Sequence, residues 1–234
     1  MPRYCISKQN SITVRMVISV IVLGGAIWLA ELGGPARQQA WLLETGAVQH
    51  GQWWRLLSAH LVHLNRAHCQ MNLLGLLSVM FILWPVLTAG QLLWAVSVSG
   101  LTIGLLWVLL QPPGPTYVGF SGVIHGVLLY GGLLMIQRGP GWFGGLIVAG
   151  ITAKLSYEIL FGPLPGVEHS IGGRVSMISH CFGALGGALA AVIAGIARPW
   201  CWLALGLCAL AILPNLAFEK SLRHPEQVSG HATD

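Results

Sequence analysis

The sequence predicts an all-α, polytopic membrane helix bundle, and three observations carry that expectation. Only 8% of the 234 residues are charged whereas 55% are hydrophobic, with a mean hydropathy of +0.72. Soluble domains carry roughly 25% charged residues, so this chain has too few charges to wet a globule, and the bilayer is its expected solvent. No Asp, Glu, Lys or Arg occurs anywhere between Ala67 and Gln137. The apolar stretches also come in lengths near the about 20 residues that a helix needs to cross a bilayer. Ten Trp and 31 Gly fit the same solvent, because Trp favours membrane interfaces and Gly is frequent in membrane helices.

Six core helices are expected at 13–30, 67–84, 88–110, 120–137, 142–160 and 177–197, with a seventh at 200–217. The breaks between them carry turn chemistry: Gly33-Gly34-Pro35, Pro85, Pro112-Pro113-Gly114-Pro115, Gly139-Pro140-Gly141, and Gly162-Pro163 through Gly173. Pro199 precedes the seventh segment and Pro214 interrupts its end. Residues 1–217 thus form the membrane domain, and 218–234 a polar C-terminal tail. The first segment follows Arg3, Lys8 and Arg15, as a secretory signal would. However, Trp28 stands where cleavage after Ala30 needs a small residue, so an uncleaved first helix is expected. The connection from Glu31 to Arg66 is long for a bundle. Its Trp41, Trp53 and Trp54, with Leu42-Leu43 and Leu56-Leu57 between polar positions, read as amphipathic structure in the interface.

The net charge of +5 is spread thinly and forms no basic stripe, so nucleic acid is not an expected partner. The five cysteines lie singly, three of them (Cys181, Cys201, Cys208) in apolar stretches, with neither zinc-ligand spacing nor a disulfide framework. Orientation follows from Lys and Arg in short loops. With the N-terminus inside, Arg3, Lys8, Arg15, Arg138 and Arg198 are cytoplasmic. Arg37, Arg55, Arg66 and Arg174 fall outside, mostly in the two longest connections. This topology puts the starts of the fourth and sixth helices on one outer side, with Ser121 and His180 each about one turn into its helix.

Those two residues are the candidates for chemistry. A serine hydroxyl is a poor nucleophile until a base takes its proton. Gly119 and Gly122 flank Ser121 and permit close backbone approach. A helix N-terminus supplies free N–H groups where an oxyanion develops. Taken alone, the same string also describes a serine bonded back to its own helix. His180 is the candidate base, since ionisable residues in membrane segments are expensive and mark function. Gly183, Gly187, Ala191 and Gly195 follow it as a ridge of small residues, and Gly122 and Gly126 form another on the fourth helix. Two such faces let helices approach closely. His68 and Asn72 share a face at the start of the second helix. Both are hydrogen-bond donors suited to an oxyanion, or else a polar cap on the helix. His125, one turn beyond Ser121, either competes as base, orients His180, or bonds to a neighbour. Lys154 and Glu158 are four apart in the fifth helix. Mutual pairing is the expected account, with a proton relay as the alternative. His50, His60, His63 and His68 near Cys69 raise the question of a metal, but no ligand pattern supports one. No metal or other cofactor is expected.

Together these residues resemble the rhomboid family of intramembrane serine proteases, over roughly Gly51 to Gly195. Gly51-Gln52-Trp53-Trp54-Arg55-Leu56-Leu57 is similar to the family's Trp-Arg element in the first loop. His68-Cys69-Gln70-Met71-Asn72 matches its His-x-x-x-Asn. Gly119-Phe120-Ser121-Gly122 matches Gly-x-Ser-Gly, and His180 with Gly183 and Gly187 matches the helix-six histidine and its glycine ridge. Each motif is weak alone, but four in the right order are strong. His125 stands where many rhomboids carry an aromatic residue. With Leu57-Ser58-Ala59-His60-Leu61-Val62-His63-Leu64-Asn65 and Lys154-Leu155-Ser156-Tyr157-Glu158, it resembles the rhombosortase branch.

The resemblance implies a rhomboid-type bundle and a Ser121–His180 dyad, with His68 and Asn72 in the oxyanion site. It names no third catalytic group, and it leaves His125 to hold His180 by a hydrogen bond in place of the usual stacking. The implied substrates are single-helix membrane proteins with a C-terminal GlyGly-type signal: a glycine-rich site, a membrane helix and a basic end. The implied setting is a bacterial inner membrane, with the site opening to the periplasm. A catalytically silent rhomboid-like chaperone and a small transporter are the rival readings.

Overall fold

The structure is a computed structural model that describes the backbone of residues 2–196 and 206, and side chains from Thr13 onward. The expected seventh helix, the polar tail, Cys201, Cys208 and the boundary at 217 lie outside the described residues. The elements run α1 (Pro2–Glu31), α2 (Gly34–Trp41), β1 (Leu43–Glu44), α3 (Thr45–Gln49), α4 (Arg55–Ser58), α5 (Arg66–Leu83), α6 (Ala89–Leu110), β2 (Thr116–Tyr117), α7 (Ser121–Arg138), α8 (Gly141–Phe161), α9 (Val167–Ile171) and α10 (Met177–Ile193). The six core helices of the sequence reading are α1, α5, α6, α7, α8 and α10.

Two boundaries differ from expectation by more than one residue, each for a local reason. α1 begins at Pro2 rather than 13, because no Gly or Pro interrupts 3–23. α10 stops at Ile193 rather than 197, where Gly195 adopts a left-handed φ of +68°.

Thr13–Glu31, Arg66–Leu83, Ala89–Leu110 and Gly141–Phe161 are long and apolar enough to cross a membrane. α7 and α10 lie on the inside of the bundle. α7 buries Gly122, Val123, Gly126, Val127 and most of its later residues, and α10 buries nearly every residue from Ile178 to Ala191. α8 is the opposite case. Of its 21 residues only Gly144, Ile151, Leu155 and Glu158 are buried.

The α7–α10 pair packs backbone to backbone. A Cβ added at Gly122 would lie 2.7 Å from the Ser179 carbonyl oxygen. One added at Gly183 would overlap the Gly122 carbonyl, and one at Gly187 the Gly126 carbonyl. The ridge of small residues is therefore a groove into which a neighbouring backbone fits.

The connection between α1 and α5 is ordered structure, as its length and Trp content predict. Arg55 is its buried clamp. Its Nη1 donates to the carbonyls of Gln39 (3.0 Å) and Leu42 (2.6 Å), and its Nε to Gln52 Oε1 (2.7 Å). β1 pairs antiparallel with β2, Leu43 opposite Tyr117 and Glu44 opposite Thr116. This pairing, absent from the sequence reading, moors the connection to the segment that leads into Ser121. Strands of two residues are too short to show alternation.

The packing makes a paired prediction. Gly183→Ala should destabilise the protein by about 1–3 kcal/mol, because the added methyl must push the facing backbones apart. Gly145→Ala in α8 meets nothing within 4 Å and should instead stabilise by about 0.5–1 kcal/mol through helix propensity. Thermal unfolding of both variants in one detergent checks the contrast.

Candidate active site

Gly119 sets the geometry of the turn that carries Ser121. Its φ is +118°, a conformation that side chains rarely adopt. A Cβ there would also meet His68 Cε1 at 2.9 Å. Both backbone groups of Gly119 are held: its N–H donates to the Ala59 carbonyl (3.0 Å), and the Tyr117 hydroxyl donates to its carbonyl (2.7 Å). Helical geometry cannot start until the glycine is passed, so Ser121 is the first residue of α7 and not one turn inside it. Its N–H is thus one of the helix's unpaired amino-terminal donors.

His180 is the fourth residue of α10, one turn in as expected. The close α7–α10 approach brings its Nε2 to 3.0 Å from Ser121 Oγ. On its other side Nδ1 lies 2.9 Å from Glu158 Oε2 and 3.1 Å from Lys154 Nζ. Lys154 and Glu158 do form the expected pair, Nζ to Oε2 at 2.8 Å, but the pair closes on the imidazole rather than on itself alone. His125 lies against the other face of the ring, stacked with centroids 4.3 Å apart and planes 21° from parallel. Its Nδ1–H donates to the Ser121 carbonyl at 2.7 Å. The expected hydrogen bond from His125 to His180 is therefore replaced by ring stacking. An imidazole four residues along α7 satisfies its donor on its own helix and offers its face to the neighbour.

His68 and Asn72 border the same space. The Leu64 N–H approaches His68 Nδ1 at 3.4 Å, which leaves the proton of the neutral ring on Nε2. Asn72 donates one Nδ2–H to the His68 carbonyl at 2.9 Å, and the amide carries a second N–H. The capping role weighed for His68 and Asn72 belongs to Asn65, whose Oδ1 accepts from the His68 N–H (2.9 Å). Asn65 Nδ2 also donates to the Ile171 carbonyl (2.6 Å), tying the start of α5 to α9. Ser121, His180, His68, Asn72, His125, Lys154 and Glu158 all line one cavity of about 310 Å³, together with Leu164, Val167 and Ile171.

A protein-family model described as a rhomboid domain matches residues 50–196. The chain belongs to the rhomboid family. Rhomboids are integral, multi-pass membrane proteins, generally intramembrane serine proteases acting on membrane-protein substrates in the bilayer, and the apolar helices fit that setting. No curated protein and no solved structure matches the chain.

Within this rhomboid fold the structure brings together Ser121, His180, His68, Asn72 and His125, with Gly119 and Gly122 shaping their backbone. Three supports escaped the sequence reading. Tyr117 and Ala59 hold Gly119 through contacts between segments that no single motif spans. His60 sits beneath the same turn, with Nε2 on the Gly100 carbonyl at 3.0 Å. Glu158 reaches His180 although 22 positions separate them in the chain. Of the four histidines considered for a metal, His50 bonds the Gly46 carbonyl, His60 bonds that of Gly100, and His63 stands edge-on to His68 with ring centroids 5.0 Å apart. Glu31, His63 and Cys69 place donor atoms within 4.8 Å of one another, outside the residues that line the cavity.

Burial holds the His63 imidazole down at about 3, with His68 and His60 adding smaller effects of the same sign. Desolvation lowers His60 as well. Both rings fold neutral, while the unfolded chain takes up protons near pH 6.5. Stability should therefore be full above about pH 6.5 and decline as the pH falls from there toward 3. Melting temperatures across that range check this, and His63→Gln should flatten the decline.

Proposed function

We propose that this rhomboid is an active intramembrane serine endopeptidase in which Ser121 is the nucleophile and His180 the general base. The observation that carries the reading is the 3.0 Å separation of Ser121 Oγ and His180 Nε2, within reach of direct proton transfer.

Ser121 Oγ attacks the scissile carbonyl as its proton passes to His180 Nε2. The tetrahedral oxyanion is met by the Ser121 N–H, His68 Nε2–H and an Asn72 Nδ2–H. Collapse expels the leaving amine, which takes the proton from His180, and an ester on Ser121 remains. A water, deprotonated by the same Nε2, then attacks the ester. The second tetrahedral species releases the carboxylate and restores the Ser121 hydroxyl. The cavity lies among helices, so charge develops where little water competes for the donors.

His125 and the strings 57–65 and 154–158 support the rhombosortase branch, and with it single-helix substrates bearing a C-terminal GlyGly-type signal. Basic residues favour a cytoplasmic N-terminus and a site opening to the periplasmic side of a bacterial inner membrane. A silent chaperone has no use for a serine and a histidine at bonding distance. A transporter would string its charges along a path, whereas Lys154 and Glu158 converge on one imidazole.

Cleavage of a tagged single-helix substrate in liposomes tests the reading. Ser121→Ala and His180→Ala should each abolish it, and the double variant should be little worse than either, because residues acting as one unit are non-additive. Substantial cleavage by either folded single variant would sink the assignment. His68→Ala and Asn72→Ala should each lower kcat about 100- to 1000-fold with a smaller effect on KM. Unchanged turnover with a lowered melting temperature would reduce both to structural roles.

A further inference from the structure

Every membrane helix that carries an acid needs a reason for it. On α8, Glu158 is the one buried residue with an ionisable side chain, at 4% exposure. Pairing with Lys154 accounts for its charge but not for its aim. An ion pair closed only on itself would need no third partner. Glu158 instead points inward, with Oε2 2.9 Å from His180 Nδ1.

On the reading that Ser121 and His180 are the reacting pair, we infer that Glu158 is a third, positioning member. It fixes the tautomer of His180 and stabilises the imidazolium formed during attack, while Lys154 anchors the carboxylate.

The argument rests on the two ring nitrogens. Nε2 accepts the Ser121 proton only if Nδ1 already carries the ring's hydrogen. A buried Nδ1–H needs an acceptor, and Glu158 Oε2 is in place. Lys154 sharpens the requirement. Its ammonium is 3.1 Å from the same Nδ1, and donation from Lys154 would force the hydrogen onto Nε2 and disable the base. Glu158 draws that ammonium to itself at 2.8 Å, accepting from Lys154 and His180 at one oxygen. When His180 takes the serine proton, both ring nitrogens become donors, one toward Glu158 and one toward the reacting oxygen. The carboxylate stays ionised and no proton moves onto it. Stacked His125 blocks the ring from tilting away. The resemblance alone implies two catalytic side chains, and this geometry adds a carboxylate to them.

The test follows the rate at which a fluorophosphonate probe acylates Ser121, alongside melting temperature and substrate kinetics. Wild type should label and His180→Ala should not. Glu158→Gln should label at least about 100-fold more slowly, with cleavage lost in kcat rather than KM. Its amide leaves Lys154 free to donate to Nδ1, so Lys154→Met with Glu158→Gln should label faster than Glu158→Gln alone. A downfield Nδ1 proton resonance should be present in wild type and absent from Glu158→Gln. If Glu158→Gln fails to fold, the double variant, which removes both charges, takes its place against wild type. Labelling at the wild-type rate by either Glu158 variant, with His180→Ala silent, overturns the role of Glu158 and leaves the Ser121–His180 reading standing. Labelling of His180→Ala as fast as wild type overturns that reading, and Glu158 falls with it.

Discussion

The close approach of α7 and α10 is the constraint on which the site depends. Carbonyls of one helix occupy the space where Cβ atoms of the other would stand, at Gly122 against Ser179 and at Gly183 against Gly122. Helices bearing ordinary side chains pack with axes about 8–10 Å apart, and glycine-lined faces come closer. A serine and an imidazole are short side chains. They meet at 3.0 Å only because the backbones behind them have already closed the distance. What looks like an absence of side chains is thus the means of positioning two of them.

Around that contact, each of the two side chains is fixed by something other than itself. Ser121 is placed by Gly119, and Gly119 by the Tyr117 hydroxyl and the Ala59 carbonyl. Tyr117 sits in β2, which pairs with β1, and β1 belongs to the connection clamped by Arg55. The Trp-Arg element therefore acts at a distance, holding the loop whose strand steadies the turn before Ser121. His180 is held on three sides, by Ser121, by the stacked His125 and by Glu158. Pre-organisation of this kind matters more in a membrane than in water, since few mobile dipoles are present to correct a misplaced charge.

The sequence revealed the six core helices through their lengths and the Gly/Pro breaks between them, and the serine, the histidine and their glycine ridges through position on those helices. Less legible was what depends on contact between distant segments. A pair of two-residue strands leaves no periodic trace. Glu158 has a plausible partner four residues away in Lys154, and that local explanation hid the distant one. His125 was visible as a departure from an aromatic residue, but whether an imidazole bonds or stacks depends on where its own Nδ1 finds an acceptor. It finds one in the Ser121 carbonyl, and the ring face is what remains for His180. The expected start of α7 at 120 lies one residue from the observed one, but Ser121 stands at that start rather than a turn inside it, because a positive φ at Gly119 cannot be read from a glycine in sequence.

Asn65 makes two bonds with one amide. Its oxygen caps α5 at the His68 N–H, and its nitrogen reaches the Ile171 carbonyl at the end of α9. α9 is a five-residue helix between Gly166 and Gly172, both at left-handed φ, so it is joined to its neighbours by two swivels. Were α9 to move, the amide would lose its Ile171 partner, and the cap on the helix that carries His68 would lose an anchor. The placement of α9 and the anchoring of the helix that carries His68 are consequently drawn from the same side chain.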